Sequence, residues 1–328
     1  MRPMKYWLRG LVCAACLVSV PAVAQLRDIS IPISSLSFGT AAIRIAKELG
    51  LFEKHGLNAK IIVMDNANSA TTALISKSVE VVLSGPGELV AAQGRGQKVV
   101  AIANTYNGLS ASLVLAKDVA EKAGVSPTAP AAERLKALDG LIIGSTSATS
   151  SYTVSFKGAA EAVGANIRFT YMAQPAMVAA LEKGAIQGFI AGAPFWGVPV
   201  VRDKAVLWLS GPKAELPPQN LPASSVSLQT MQDFATANPE LMKSLAAVVA
   251  DLGKAIEERP AEVKAAVAKL YPDVDAKTLD LLYAGEAAAW KARPLTAADM
   301  AHEVAFVKST GTSLPQIDSV DPASMLVK

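Results

Sequence analysis

Apolar and polar positions fall in short blocks along most of this chain, and the blocks switch between a period of two and a period near 3.6. Asp28-Ile29-Ser30-Ile31-Pro32-Ile33 alternates as a strand does. Ile43, Ala46, Leu49 and Phe52 then share one stripe of a helix predicted from Thr40 to about Lys54. His55-Gly56 reads as its stop, because glycine accepts the left-handed position after a last turn and a histidine there complements the helix dipole. Further strands are predicted over 59–64, 79–83 and 99–103, separated by helices over 70–77 and from Ser84-Gly85-Pro86-Gly87 to Gly94. Strands and helices alternating at this pitch imply βαβ units and a largely parallel sheet.

The series then repeats. After Ser112-Leu113-Val114-Leu115 and a Pro/Ala-rich linker over 125–132, strands are predicted over 141–144, 167–171, 187–191 and 206–209. Helices ending near Val163 and spanning 175–183 lie between them. From Asn238 onward the pattern is helical only. Leu241, Leu245, Val248, Leu252 and Ile256 hold one face behind Asn238-Pro239, a second helix runs between Pro260 and Pro272, and Thr296 with Asp299 has the spacing of a capping box. Helices with no strands of their own are expected to brace two α/β lobes.

The first 24 residues read as a targeting segment. Arg2, Lys5 and Arg9 precede an apolar run, Leu11 to Val20, and Ala22-Val23-Ala24 supplies the small residues a signal peptidase reads. The run is shorter than the roughly 20 residues a bilayer requires. Residues 1–24 are therefore expected to be a signal peptide, with the mature chain in the periplasm; a retained anchor is the alternative. Cys13-Ala14-Ala15 makes a poor lipobox for Cys16.

Removing that segment changes the charge picture. The whole chain has 31 Lys+Arg and 28 Asp+Glu, and three of the basic residues lie in residues 1–24, so 28 of each sign remain. A nucleic-acid partner loses its electrostatic footprint. Both cysteines, Cys13 and Cys16, leave as well, so no disulfide, thiolate or Cys-ligated metal is expected. His55 and His302 are the only histidines, and each is expected in a structural role. There is no G-x-S-x-G elbow and no P-loop, and Gly94-Arg95-Gly96 meets Val99 where a dinucleotide fingerprint needs its third glycine. This inventory speaks against an enzyme and calls for no cofactor. The three hundred or so remaining residues exceed one comfortable core, which predicts two lobes.

Four stretches carry a resemblance to a known family. Ala46-Lys47-Glu48-Leu49-Gly50-Leu51-Phe52-Glu53-Lys54-His55-Gly56-Leu57 is similar to the opening of nitrate/sulfonate/taurine-type periplasmic binding proteins of ABC transporters, a class that includes pyrimidine-precursor binders. Residues 73–85, 91–103 and 179–188 resemble later motifs of the same family, with Ser78 where a glycine is usual and Gln187 where an acidic residue is usual. The resemblance implies a type II periplasmic-binding-protein fold: two Rossmann-like lobes, joined by two crossing strands, with a ligand in the cleft. It places lobe 1 at 25–110 and 210–328, lobe 2 at 111–209, and the crossings near Ser110–Leu115 and Pro222–Leu228. It implies a monomeric substrate-binding component that delivers its ligand to an ABC permease in the inner membrane. Ligand sensing on the same fold is the alternative role. Relatives that build the thiamine pyrimidine use cysteine-rich motifs, which this chain lacks beyond residue 24.

Ligands of open α/β sheets sit beyond the carboxyl ends of the strands. Four loops there are small and polar: 34–37, 66–69, 84–87 and 145–151. In the last, six of seven residues carry hydroxyls, more than one helix cap requires. Exposed N–H groups and a helix dipole at such a loop favour an anion. The candidate ligand residues are accordingly Ser35, Ser37, Ser69, Ser84 and Gly85 on one side, and Thr146, Ser147, Thr149, Ser150 and Ser151 on the other. A plain capped loop is the alternative reading of 145–151. Gln174 could donate an amide hydrogen bond. Phe38, Pro194 and Trp196 could form an apolar wall, with core packing as their alternative. The expected ligand is a small organic anion such as a sulfonate or carboxylate; the alternative is a neutral heterocycle held by aromatic rings.

Overall fold

The computed structural model describes residues 25–64, 67–148, 150–309 and 314–327. The expected signal peptide, 1–24, lies outside the described residues, as does Thr149.

Two five-stranded sheets carry the fold. The first is built from β1 (Arg27–Ile33), β2 (Leu57–Val63), β3 (Val81–Ser84) and β4 (Val99–Asn107). The second holds β5 (Ser112–Ala116), β6 (Ile142–Ser145), β7 (Arg168–Tyr171), β8 (Gly188–Ala191) and β9 (Ala205–Ser210). β10 (Ser224–Met231) returns to the first sheet. The strand orders are β2-β1-β3-β10-β4 and β7-β6-β8-β5-β9. β1 pairs in parallel with β2 from Arg27–Leu57 to Ile33–Val63, and β6 pairs in parallel with β7 and β8. One strand in each sheet runs against the rest. β10 is antiparallel to β3 and β4, and β5 is antiparallel to β8 and β9. Both are strands that have just arrived from the other sheet, and that passage reverses their direction.

The chain changes sheets over 108–111 and over 211–223. The return expected at Pro222–Leu228 is displaced, since most of that segment is already β10, paired on both sides. Likewise, the stretch over 112–115 expected as part of the outward crossing is strand β5. The two passages run side by side: Gly108 N–H donates to Ala223 O at 3.2 Å and Gly211 N–H to Ala111 O at 3.0 Å. At Gly211 a Cβ would lie 2.6 Å from the Leu109 carbonyl oxygen, so no larger residue fits between the strands.

The helix expected over 40–54 is interrupted at Leu49-Gly50, leaving Ala41–Glu48 and Leu51–Lys54. His55 follows it and pairs through Nε2 with Asp251 Oδ2 at 2.9 Å. The helix Pro239–Glu258 buries the predicted stripe Leu241, Leu245, Val248, Leu252 and Ile256 against the first sheet. A separate core fills the second sheet, around Leu113, Ile143, Phe156, Ile190 and Trp208. The helix Ala276–Trp290 packs into the first core and ties β4 to the segment beyond β8. Its Glu286, fully buried, accepts from the Tyr106 hydroxyl of β4 and from Trp196 Nε1, at 3.4 Å, beyond β8. No helix among the described residues is long and apolar enough to cross a membrane.

Candidate functional site

Where the carboxyl ends of the two sets of strands meet, a cleft of about 690 Å³ opens between the sheets. Its volume is within the range of small-molecule sites. Ser35, Ser37, Ser84 and Gly85 line it from the first sheet, and Thr146, Ser150, Ser151 and Gln174 from the second. These eight stand together because β1, β3 and β6 end at the cleft, while Gln174 opens the helix that follows β7.

Hydrogen bonds decide which of these groups a ligand could still use. Ser150 is the N-cap of the helix Ser151–Glu161, and its hydroxyl accepts from Thr153 N–H at 3.2 Å. Thr153 Oγ1 also donates to Ser147 O at 2.6 Å and pairs with Ser145 Oγ at 2.7 Å. Two hydroxyls of the loop, those of Ser145 and Ser150, are thus spent on its own shape. Thr146 and Ser151, by contrast, have no side-chain partner among the described residues and face the cleft. Gln174 Oε1 accepts from Gly192 N–H at 2.8 Å, which leaves its amide as a donor. On the first-sheet side, Ser35 Oγ and Ser37 Oγ pair at 3.0 Å. Ser84 Oγ pairs with Thr71 Oγ1 at 3.2 Å.

The remaining expected residues lie elsewhere. Ser147 is exposed and outside the lining; its carbonyl, not its side chain, serves the loop. Ser69 is half-buried in the first turn of the helix Ala67–Ile75, away from the cleft wall. Phe38 and Trp196 are core residues, 0 % and 1 % exposed, which removes the apolar wall expected of them. Phe38 packs on Tyr271 and Trp290, with ring centroids 4.4 and 5.6 Å apart. Pro194, half-buried beside Trp196, is likewise outside the lining. Periodicity could not separate these rings from a cleft wall, because a strand end followed by aromatics suits either.

Other lining residues carried no local sequence signal. Ser110 and Tyr152 pair through their hydroxyls at 3.2 Å across the floor of the cleft. Burial pushes the Tyr152 phenol up from its ordinary range. Glu303, on the helix Ala297–Ser309, is 2 % exposed and accepts at Oε1 from Ala223 N–H at 2.5 Å and Ser224 N–H at 3.4 Å. Burial outweighs those bonds and raises its carboxyl to about 7. Glu88 is half-buried in the opposite part of the same wall, and burial raises its carboxyl too. Among the described residues Arg95 is the only cation in the lining. Glu303 comes from nearly 200 residues beyond the loops it joins, where only the folded chain brings it to the cleft. Among the described residues no group of three or more His, Cys, Asp or Glu could hold a metal ion.

The model of the NMT1-like family matches residues 37–271. A Brucella abortus (strain 2308) protein with a provisional binding-protein name is 34 % identical over 94 residues, 28 % of this chain and 30 % of that protein. This chain thus spans under a third of the length of the curated relatives it matches. Among solved structures, the periplasmic aliphatic sulphonate binding protein of Escherichia coli superposes with a TM-score of 0.67 at 14 % identity, covering 90 % of this chain and 97 % of that one. The alkanesulfonate-binding protein of Xanthomonas axonopodis pv. citri, bound to MOPS, gives 0.66 at 16 % identity, covering 92 % and 98 %. These likenesses establish the fold as that of periplasmic binding proteins.

Proposed function

Because the chain belongs to the NMT1-like family, we propose that it is the periplasmic substrate-binding component of an ABC importer. It closes on one small organic anion, a sulfonate or a carboxylate, and presents it to an inner-membrane permease as a monomer. The observation that carries this reading is the second-sheet wall of the cleft. There the N-terminus of the helix Ser151–Glu161 has no acidic residue in its first turn, and the Thr146 and Ser151 hydroxyls and the Gln174 amide stand beside it. Such a wall stabilises negative charge with neutral donors. Hydrogen bonds to a charged group contribute about 1.5–3 kcal/mol each. A handful, in a cleft closed to water, supports micromolar binding at about 8 kcal/mol after the cost of association.

The lobes of this reading are residues 25–110 with 210–328, and 111–209. Residues 1–24 act as the export signal. No chemical step is assigned to the cleft: its donors are arranged to hold a guest. A neutral heterocycle fits less well, since Phe38 and Trp196 are buried and, among the described aromatic residues, only Tyr152 and Phe306 reach the lining.

Calorimetric titration with ethanesulfonate, butyrate and uncharged analogues of the same size tests the proposal. Binding of at least one anion is expected, weakened about tenfold or more by Thr146→Ala and by Ser151→Ala, while Ser147→Ala leaves it unchanged. Binding confined to uncharged or cationic compounds would overturn the reading.

A further inference from the structure

The two walls of the cleft treat negative charge differently. On the second-sheet side the helix start is capped by an uncharged hydroxyl, that of Ser150. On the first-sheet side the helix Pro86–Gln93 has Gly85 at its N-cap and no N-cap side-chain hydrogen bond. Glu88, the third residue of this helix, folds its carboxyl back over Gly85 at the helix start. The oxygen Oε2 occupies the space that a Cβ on Gly85 would fill. Gln229 Nε2 fixes the turn from behind, donating to Ser84 O at 3.0 Å and to Gly85 O at 2.9 Å. The positive end of this helix is therefore already covered by a carboxyl of the protein's own, which is ionised at a pH above its raised range. Glu303 lines the same cleft, and its Oε1 accepts from the amides of 223 and 224. Arg95 offers no direct neutralisation. It lies beyond the end of this helix and makes no ion pair with a described residue.

We propose that Glu88 is a specificity-determining residue of the cleft: it confines the ligand's negative charge to the second-sheet wall and turns away a second anionic group. The ligand class narrows to monoanions whose other end is uncharged or donates hydrogen bonds. This rests on the anion-binding role proposed above and deepens it.

Matched pairs test it by calorimetry at pH 8: ethanesulfonate against ethane-1,2-disulfonate, and butyrate against succinate. The native chain is expected to prefer the monoanion of whichever pair binds by about tenfold or more. Glu88→Gln, which keeps the side chain's shape and one acceptor oxygen, is expected to cut that preference by about tenfold. Thr146→Ala is expected to weaken both members of a pair and keep their ratio. A native chain that binds the dianion as tightly as the monoanion, or a ratio untouched by Glu88→Gln, would overturn the inference while leaving the anion-binding role intact. Failure of all four anions beside binding of an uncharged analogue would overturn that role, and the inference with it.

Discussion

At the scale of single residues, what a group does here depends on how its neighbours have already used it. Glu286 and Glu303 are buried carboxyls, each raised by desolvation to about 7 from an ordinary value near 4.5. A carboxyl whose pKa is higher in the folded chain stabilises the fold fully below its unfolded pKa, and that stabilisation is lost as pH rises through the folded value. Stability is therefore expected to fall between pH 5 and pH 8, by up to about 3 kcal/mol for each of the two groups. Urea denaturation of the native chain and of Glu286→Gln/Glu303→Gln measures this. The variant should show a flatter profile, and an unchanged slope would contradict the assignment. Asp251, held low by Lys54 and His55, and Asp299, held low by Arg293, titrate below this window and do not shape it. The hydroxyls of residues 145–151 were legible as a cluster. Their division was not, because whether Ser150 caps a helix or Thr146 faces a cleft depends on side-chain direction, which composition does not encode. Phe38 and Trp196 show the same limit from the apolar side: both sit at strand ends, yet both are core.

At the scale of elements, strand and helix positions follow period and punctuation closely. β1, β3 and β8 lie within a residue or two of where alternation and apolar runs place them, and the helical stripe from Leu241 to Ile256 packs as one face. The misplaced element is the return strand. The resemblance implied a crossing strand at Pro222–Leu228, and most of that segment instead pairs within the first sheet, with β3 and β4. The cap of the helix Ser151–Glu161 is the element-scale feature on which the proposed anion wall depends. Ser150→Ala is expected to cost about 1 kcal/mol of stability by chemical denaturation. It should weaken ethanesulfonate binding less than Thr146→Ala does, since Ser150 acts by holding the turn. If Ser150→Ala abolished binding at full stability, that hydroxyl would be a direct ligand contact.

At the scale of the whole molecule, the same topology that builds two sheets also places their working ends. The passages over 108–111 and 211–223 leave the sheets beside β4, β10, β5 and β9, so β2 and β7 form the far edges, away from the connection. A hinge motion about the paired passages would bring the far edges together around a bound guest. A two-lobed architecture was legible from length and from the repeated βα series. The contribution of Glu303 and Glu286 from the C-terminal helices was not, since contacts across 79 to 180 residues leave no local pattern. Leu36 and Tyr171 stand near the far edge of each sheet, 53 % and 48 % exposed, and both accept a label without disturbing the core. In a chain with Cys13 and Cys16 replaced by serine, spin labels on Leu36→Cys and Tyr171→Cys report the opening of the cleft. The label-to-label distance should shorten by several ångströms on saturation with the tightest-binding anion. A distance that stays fixed while calorimetry shows that anion bound would contradict the account of a clamp closing on its ligand.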